Sequence, residues 1–351
     1  MDGRVLYEKL RIARYEQKTG LTNFEEYLMS KAIVVSGSAG FIGGTFADMH
    51  RELFPDVKIY CIDPAHKLSV GRECIRDGSF EIIADVLEAG LRLLKGNVDV
   101  TEITHIFAFG AQSHVDFCNE MPWHAFSDNV SDVFQTLDFI RQWEHKPKFV
   151  YISTDEVGGQ MQYHEHPWRP ENEKVSALDM DAVNTRPMTH APRNTYSATK
   201  AAAEMLVKGM CNQYGIPYCI TRSVNNFGND QGGGKFIPNI IDALTEGRPI
   251  PIRGTSVDDV NEHYRCWVAV EQHCLAVMET GYHGHNGQVR HVPGDKLRNI
   301  DVVKTISKQL DLPFTLATAP AREAHDIGYQ LHDVTYSEVV TPGTIHTYFK
   351  K

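Results

Sequence analysis

The sequence lacks the features of a membrane protein or of a small secreted, disulfide-rich protein. No apolar run approaches the ~20 residues that a transmembrane helix requires. Met1–Arg4 is not followed by the apolar segment typical of a signal peptide. The seven cysteines are scattered and contain no Cys-x-x-Cys pair. We therefore expect a cytoplasmic protein with reduced thiols and no membrane partner.

Excess positive charge and metal-binding spacings are also absent. Lysine and arginine number 35 against 45 acidic residues, a net charge of -10, which argues against a nucleic-acid partner. The histidine clusters at His164–His166 and His283–His285 lack the helical spacing of zinc ligands. We find no internal repeat or low-complexity segment, and we expect no bound metal.

What the sequence does contain, over its first two thirds, is a series of short apolar runs separated by stretches long enough for helices. Strands that alternate with helices form a parallel sheet that is covered by helices on both faces. We therefore predict an α/β fold of the doubly wound Rossmann type. The candidate strands are Ala32–Val35, Lys58–Ile62, Phe80–Ile83, His105–Phe109, Phe149–Ile152 and Tyr218–Thr221.

A glycine-rich loop follows the first candidate strand. Gly37, Gly40 and Gly43 have the spacing G-x-x-G-x-x-G, and the segment opens a candidate helix. A strand, a glycine turn and a helix N-terminus in this order form a binding site for the pyrophosphate of a dinucleotide. Asp63 ends the next strand, where a carboxylate binds ribose hydroxyls and repels a 2′-phosphate. These residues predict NAD as the cofactor, in preference to NADP.

The length of 351 residues favours two domains over one core. We expect an N-terminal extension over residues 1–30 that is helical in part. An NAD-binding Rossmann domain over 31–228 and a smaller substrate-binding domain over 229–351 follow it.

Two polar segments carry candidate catalytic groups. Tyr196 and Lys200 are four residues apart and so share one face of a helix. Because a nearby cation favours the phenolate, we expect Lys200 to lower the pKa of Tyr196 below its free value of about 10. A tyrosine base of this kind suggests hydride chemistry on an alcohol.

The second segment, Thr154-Asp155-Glu156, adds a hydroxyl and two carboxyl groups at the end of a strand. With a tyrosine base, such a pair suggests oxidation that is coupled to an elimination. The two carboxyl groups can act together only if the chain turns at Asp155, which Val157-Gly158-Gly159 favours. The alternative is an acid pair at the N-terminus of a helix that Thr154 caps.

Taken together, these segments resemble the extended short-chain dehydrogenase/reductase family. Within it they resemble the nucleotide-sugar 4,6-dehydratases typified by dTDP-glucose 4,6-dehydratase. The most specific match is Ser153–Val157, which is similar to the family's S-T-D-E-V. The Tyr-x-x-x-Lys pair is shared with epimerases and decarboxylases. The likeness runs from about residue 32 to about residue 332, and the other matching segments are Gly110–Asp116, Asn225–Gly228 and Lys235–Pro238.

The resemblance implies a catalytic role for five residues. Thr154 would hold the sugar near O4, and Tyr196 would be the base for the 4-hydroxyl. Lys200 would bind the nicotinamide ribose. Asp155 and Glu156 would be the acid and the base of the elimination.

It also implies two sets of binding residues, a nucleotide-diphosphate sugar as substrate, and a homodimer. Besides Tyr196 and Lys200, the cofactor set is Gly37, Gly40, Phe41, Ile42, Gly43, Asp63, Asp85, Val86, Phe109, Gly110 and Ala111. The substrate set is Ser113, His114, Asn225, Lys235, Arg265, Arg322 and His325.

The chain departs from the family pattern at four positions. Gly158 replaces an aromatic residue after the carboxyl pair, and Gln112 replaces a glutamate. His291 stands in place of an asparagine, and Cys266 in place of an aspartate. Two alternatives therefore remain open. One is an NAD-dependent nucleotide-sugar 4-epimerase or decarboxylase, which would not use the carboxyl pair. The other is a non-catalytic NAD-binding protein.

Overall fold

A computed structural model describes residues 30–63, 80–83, 87–159, 190–253, 264–319 and 345. The strands within these ranges are β1 (Ala32–Ser36), β2 (Lys58–Asp63), β3 (Phe80–Ile83), β4 (Ile103–Ala108), β5 (Lys148–Thr154), β6 (Tyr218–Ser223), β7 (Asn225–Phe227), β8 (Ile250–Arg253), β9 (Tyr264–Ala269), β10 (Gln288–Val292), β11 (Asp295–Arg298) and β12 (Leu316–Ala319). The α-helices are α1 (Phe41–Leu53), α2 (Leu87–Asn97), α3 (Val115–Glu120), α4 (Pro122–Phe126), α5 (Asp132–Ile140), α6 (Thr195–Tyr214), α7 (Phe236–Glu246), α8 (Val270–His283) and α9 (Asn299–Leu310).

The main sheet has seven strands in the order β10-β6-β5-β4-β1-β2-β3. Every neighbouring pair in it is parallel. The six strands predicted from the sequence are all present, and the prediction of a Rossmann-type sheet is confirmed. The seventh strand, β10, was missed because its apolar pattern is broken by Arg290 and His291, which are nevertheless buried.

Helices cover both faces of this sheet. Helices α1 and α8 pack on one face around Phe46, Phe107 and Val277. Helices α2, α5 and α6 pack on the other around Leu91 and Leu137. A parallel strand that is covered on both faces is a nearly continuous apolar run, as β1 is, and all five of its residues are buried.

A separate apolar core lies in the second half of the chain, where α7 and α9 pack around Ile240, Trp267 and Val303. Strands β11-β9-β7 and β12-β8 form two small sheets there. The chain returns from this region to the main sheet, because α8 packs on it and β10 pairs with β6. A domain boundary at residue 228 stays a prediction. None of the helices in the described ranges is both long and apolar enough to cross a membrane.

The strand order places a binding crevice between β1 and β4. From β1 the chain proceeds outward to β2 and β3, and then crosses back to β4 on the other side of β1. In doubly wound sheets the ligand binds beyond the carboxyl ends of the strands at this reversal. The loops after β1, β4 and β5 all lie at this edge, and they carry many of the predicted site residues.

Candidate active site

The loop after β1 is shaped by glycines at which a side chain would collide with the backbone. Gly37 has a φ of 67° and donates its N–H to the carbonyl of Ile62 at 2.9 Å. A Cβ on Gly37 would lie 2.7 Å from the backbone nitrogen of Gly110. A Cβ on Gly43 would collide with the Gly37 carbonyl. The loop is therefore a narrow backbone cradle between the ends of β1 and β4.

This cradle opens onto the N-terminus of α1. Gly40 is the N-cap, and among the described residues no side chain caps it. Exposed N–H groups at a helix N-terminus favour a phosphate ligand. Phe41 and Ile42, in the first turn of α1, are partly buried. The buried Asp63 lies beside the loop, because its Oδ2 accepts a 3.0 Å hydrogen bond from the Ala39 N–H.

The segment after β4 forms the opposite wall of the crevice. Gly110 donates its N–H to Ser36 Oγ at 3.2 Å, which ties the ends of β4 and β1 together. Phe109 packs its ring against Phe46, with centroids 4.9 Å apart, and Ala111 follows, partly buried. The predicted cofactor residues of these two loops thus face one another across the strand-order reversal.

The predicted turn at Asp155 is present. Strand β5 ends at Thr154, and residues Asp155–Gly158 form a 3-10 turn. Thr154 Oγ1 accepts from the Glu156 N–H at 3.3 Å and donates to Asp155 Oδ1 at 3.2 Å. Capping by Thr154 and a turned carboxyl pair therefore occur together. Gly159 has a φ of 70°, and a Cβ there would collide with the Ala191 carbonyl.

The two carboxyl groups of this turn have different environments. Asp155 is buried, and burial, followed by the charge of Glu156, raises its pKa to about 7. Arg265 lies close enough for its charge to oppose this increase. Glu156 is partly exposed, and its Oε2 accepts from Asn194 Nδ2 at 3.3 Å. One buried acid beside one hydrogen-bonded carboxylate is the arrangement that acid–base catalysis requires.

Tyr196 and Lys200 lie at the start of α6. Desolvation, followed by the charges of Glu156 and Asp155, raises the pKa of Tyr196 above its ordinary value. Lys200 Nζ donates to the Ile152 carbonyl at 2.7 Å, and burial lowers its pKa to about 7. The prediction that Lys200 lowers the pKa of Tyr196 was therefore wrong for this structure. The charges that raise the phenol pKa most are those of the carboxyl pair.

The predicted substrate residues lie beyond the carboxyl pair. Lys235 Nζ donates to the backbone oxygen of Ser113 at 3.0 Å and interacts with its hydroxyl at 3.3 Å. Burial raises the pKa of the Cys118 thiol to about 11. The charge of Lys235 lowers this pKa and the charge of Glu156 raises it. Lys235 of the predicted substrate residues and Glu156 of the predicted catalytic residues therefore both lie near Cys118.

Three further predicted substrate residues lie around it. His114 is exposed directly after Ser113. Asn225 begins β7 and pairs with Trp267 of β9, the strand that also carries the buried Arg265. The substrate roles of these residues stay predictions. Four predicted residues lie outside the described ranges, namely Asp85, Val86, Arg322 and His325.

Two asparagines in the site were not found from the sequence. Asn194 is the N-cap of α6 in a capping box with Ser197, and it also holds Glu156. The pattern Asn-x-x-Ser before a helix could have revealed it. Asn129 lies buried on the π-helical turn Ser127–Ser131, and its Nδ2 donates to Thr199 Oγ1 at 2.9 Å. No local pattern marks that contact.

A family model described as "NAD dependent epimerase/dehydratase family" matches residues 33–291, well over half of the chain. The chain belongs to this family. Its glycine loop, its turned carboxyl pair and its Tyr-x-x-x-Lys helix all fall within the matched residues.

Individual relatives agree with this assignment. A dTDP-glucose 4,6-dehydratase of Mycobacterium tuberculosis is 29% identical over 329 residues, which is 91% of this chain and 90% of that protein. The dTDP-glucose 4,6-dehydratase of Salmonella typhimurium is 29% identical over 300 residues, which is 80% of this chain and 76% of that protein.

Solved structures show the fold that these relatives share. A dTDP-glucose 4,6-dehydratase from Bacillus anthracis in complex with NAD has a TM-score of 0.70 at 22% identity, covering 91% of this chain and 94% of that one. A UDP-glucuronic acid 4-epimerase from Bacillus cereus has a TM-score of 0.73 at 18% identity, covering 91% of this chain and 96% of that one. Dehydratases and epimerases therefore share this fold, so the fold alone does not distinguish the two activities.

Proposed function

We infer that this chain is an NAD-dependent nucleotide-sugar 4,6-dehydratase, which converts a nucleotide-diphosphate hexose to its 4-keto-6-deoxy product. The observation that carries this inference is the meeting of Asp155, Glu156 and Tyr196. Both carboxylates act on the pKa of the Tyr196 phenol, and Glu156 acts on that of Asp155. A 4-epimerase or a decarboxylase needs the phenol but has no use for the carboxyl pair.

The described residues fit NAD as the cofactor. The Gly37 loop leaves a cradle that any Cβ would fill, and the uncapped N-terminus of α1 suits a pyrophosphate. Asp63 lies where a carboxylate can bind adenosine ribose hydroxyls. When bound, NAD would supply the hydride acceptor for C4 of the sugar and the hydride donor for C6. We assign its binding to the two loops and to Lys200.

The side chains of the site divide the proton transfers among them. Tyr196 accepts the proton of the 4-hydroxyl. The hydrogen bond between the Thr154 side chain and the phenol assists this transfer because it lowers the pKa of Tyr196. A ketone at C4 makes the C5 proton acidic, and Glu156 removes it. Asp155, whose pKa is raised to about 7, donates a proton to the departing 6-hydroxyl.

Proton positions in this group are coupled. The charge of Asp155 is one of the causes that raise the pKa of Tyr196, and a protonated Asp155 carries no such charge. Protonation of Asp155 therefore also favours the phenolate form of Tyr196. The protonated form of Asp155, which is the acid of the elimination, is thus also the form that favours Tyr196 as the base of the oxidation.

The diphosphate of the substrate requires positive charge next to the sugar site. We propose that Lys235 and Arg265 supply it, with Ser113 and His114 on the exposed side and Asn225 beside them. Lys235 is already held at Ser113, and Arg265 lies close enough to Asp155 to act on its pKa. We assign the nucleotide end to Arg322 and His325 by family resemblance alone.

The direct test is incubation with a panel of dTDP-, UDP-, CDP- and GDP-hexoses. Mass spectrometry of the products should show the loss of one water from at least one sugar, with a 4-keto group in the product. An isomer of unchanged mass would identify an epimerase instead. A nucleotide-linked hexuronic acid is added to the panel, because only a substrate with a C6 carboxylate can lose carbon dioxide, and that loss would identify a decarboxylase. No product from any member would favour a non-catalytic protein.

We also propose that the protein is a homodimer that works in a reducing, cytoplasmic compartment. Helices α4, α5 and α6 carry exposed large apolar side chains, which suit burial against a second copy. These are Trp123, Phe126, Phe134 and Met205. All six cysteines in the described ranges are free thiols. Light scattering of the wild type and of a Trp123→Asp variant tests the dimer, which the variant should weaken.

A further inference from the structure

A buried ionic network lies behind the catalytic helix. Glu204 of α6 is fully buried and interacts with Arg222 of β6, which is also buried. Its Oε1 accepts from Arg222 Nε at 3.0 Å, and its Oε2 accepts from Arg222 Nη2 at 2.6 Å. His190 Nε2 lies 2.9 Å from the same Oε2. Such two-point contacts between arginine and a carboxylate fix both side chains in orientation.

This network lies one helical turn from Lys200 and one residue from the catalytic turn. Arg222 pairs in register with Ser153 of β5, which precedes Thr154. Lys200 Nζ is bonded to the Ile152 carbonyl of the same strand and lies 4.2 Å from the Tyr151 ring centroid. Helix α6 is thus attached to β5 through Lys200 and to β6 through Glu204. Both attachments lie close to the turn that carries Asp155 and Glu156.

The charge of Glu204 also acts on Lys200. Burial lowers the pKa of Lys200 to about 7, and Glu204 is the group that opposes this decrease. Burial would raise the pKa of Glu204 itself, but its hydrogen bonds to His190 and Arg222 outweigh burial and lower it to about 2. Glu204 is therefore held in its ionised form at neutral pH.

Other titratable groups also face Glu204. Lys208, on its own helix, has its Nζ 4.0 Å from Oε2. Tyr151 lies on β5, and its pKa is raised by burial and then by Glu204, so it is neutral. Of these groups, Lys200 alone reaches the reacting centre.

We propose that Glu204, fixed by Arg222, is a positioning residue that keeps the Lys200 ammonium charged and in place for the nicotinamide ribose and for Tyr196. This proposal rests on the binding role assigned to Lys200. Neither Glu204 nor Arg222 touches the substrate. Their effect on the reaction passes through Lys200.

The test separates this role from simple structural support. Replacing a buried ion pair by apolar residues of similar size is often neutral for stability or stabilising. The double variant Glu204→Leu/Arg222→Met should therefore keep its fold while removing the anion next to Lys200. Glu204→Gln removes the charge alone, and Glu204→Asp retains it. The matched control is Glu279→Gln, which breaks the Arg290–Glu279 pair between α8 and β10, 2.9 Å apart and away from the site.

Binding of NAD to nucleotide-free protein, measured by calorimetry across a pH series, is the first readout. A decrease of one unit in the Lys200 pKa from about 7 leaves about one tenth of Lys200 charged at neutral pH, against about one half in the wild type. We therefore expect both charge-removing variants to bind NAD about fivefold more weakly at neutral pH. The alkaline limit of kcat should shift to lower pH by about one unit. Glu204→Asp should recover most of both, and Glu279→Gln should match the wild type.

The proposal is overturned if the double variant and Glu204→Gln both fold and bind NAD with the wild-type affinity and pH limit. It is also overturned if Glu279→Gln changes affinity and pH limit as much as they do, because any buried pair would then suffice. The variant Lys200→Met tests the binding role of Lys200 separately from the positioning role of Glu204. If this variant binds NAD normally, the role of Lys200 fails, whatever Glu204 does.

Discussion

Replacing Glu156 by glutamine should stop the reaction between oxidation and water loss. The substitution leaves Tyr196, Lys200 and the cofactor loops in place, so the first proton transfer and the oxidation at C4 should proceed. It removes the base for the C5 proton, and it also removes the charge that, after burial, most raises the pKa of Asp155. Both steps of the elimination are affected by one change.

The magnitude follows from the structure. With a pKa raised to about 7, roughly half of Asp155 is protonated at neutral pH, against about one molecule in 10³ for an ordinary aspartate. Without the Glu156 charge this acidic fraction falls, although burial keeps it above the ordinary value. Loss of a general base alone costs typically about 10²–10⁴-fold. We therefore expect product formation to fall by at least that factor, while oxidation retains a rate near that of the wild type.

Rapid mixing with the active nucleotide sugar distinguishes the steps. The near-ultraviolet absorbance of NADH should rise and persist in Glu156→Gln, with little 6-deoxy product and little exchange of the C5 proton into deuterated solvent. Asp155→Asn should also accumulate NADH but keep more of that exchange. Tyr196→Phe is the control in which no absorbance rises. Wild-type product formation by both carboxyl variants would refute the dehydratase mechanism.

Four further outcomes follow from described contacts. Tyr196→Phe should fold normally and lose about 10²–10⁴-fold in turnover, and near-normal activity would mean that another group is the base. Protein that is denatured after purification should release NAD and no NADP, and Asp63→Ala should retain less of it. Gly37→Ala should lose NAD binding because its Cβ would lie 2.7 Å from a backbone nitrogen, whereas Gly209→Ala, with nothing within 4 Å, should bind normally and gain about 0.5–1 kcal/mol in urea unfolding. Burial lowers the pKa of His273 from 6.5 to about 3, so unfolding takes up a proton and stability falls as pH drops below 6.5; His273→Asn should reduce this pH slope by about 1.4 kcal/mol per pH unit.

The sheet was predictable where burial on both faces produces uninterrupted apolar runs. Strand β1 is such a run, and the glycine loop after it has its own sequence pattern. Strand β10 was not predictable because the buried Arg290 reaches a partly exposed partner, Glu279 on α8, 11 residues away in the chain. A charged residue inside a strand looks exposed until its partner is known.

The candidate site was predictable in its members but not in its electrostatics. Spacing alone placed Tyr196 and Lys200 on one helix face, and the glycines after Glu156 indicated the turn. Spacing could not show that Lys200 donates to the backbone of β5. Nor could it show that Glu204 meets Arg222, 18 residues away on a different element. Contacts between side chains that are distant in the sequence shift pKa values, but they produce no spacing pattern from which they could be predicted.

This distribution of charge has a consequence for the reaction that the motif itself does not reveal. The tyrosine of a Tyr-x-x-x-Lys pair is expected to ionise because of the lysine, but here two carboxylates act on the phenol and oppose its ionisation. Protonation of Asp155 relieves part of that opposition, and Arg265 limits how readily the proton is held. With the roles proposed for Tyr196 and Asp155, we therefore expect oxidation of the sugar to be favoured when Asp155 carries the proton for the leaving hydroxyl. Coupling of this kind favours elimination once C4 is oxidised, and an epimerase with the same fold and the same tyrosine would gain nothing from it.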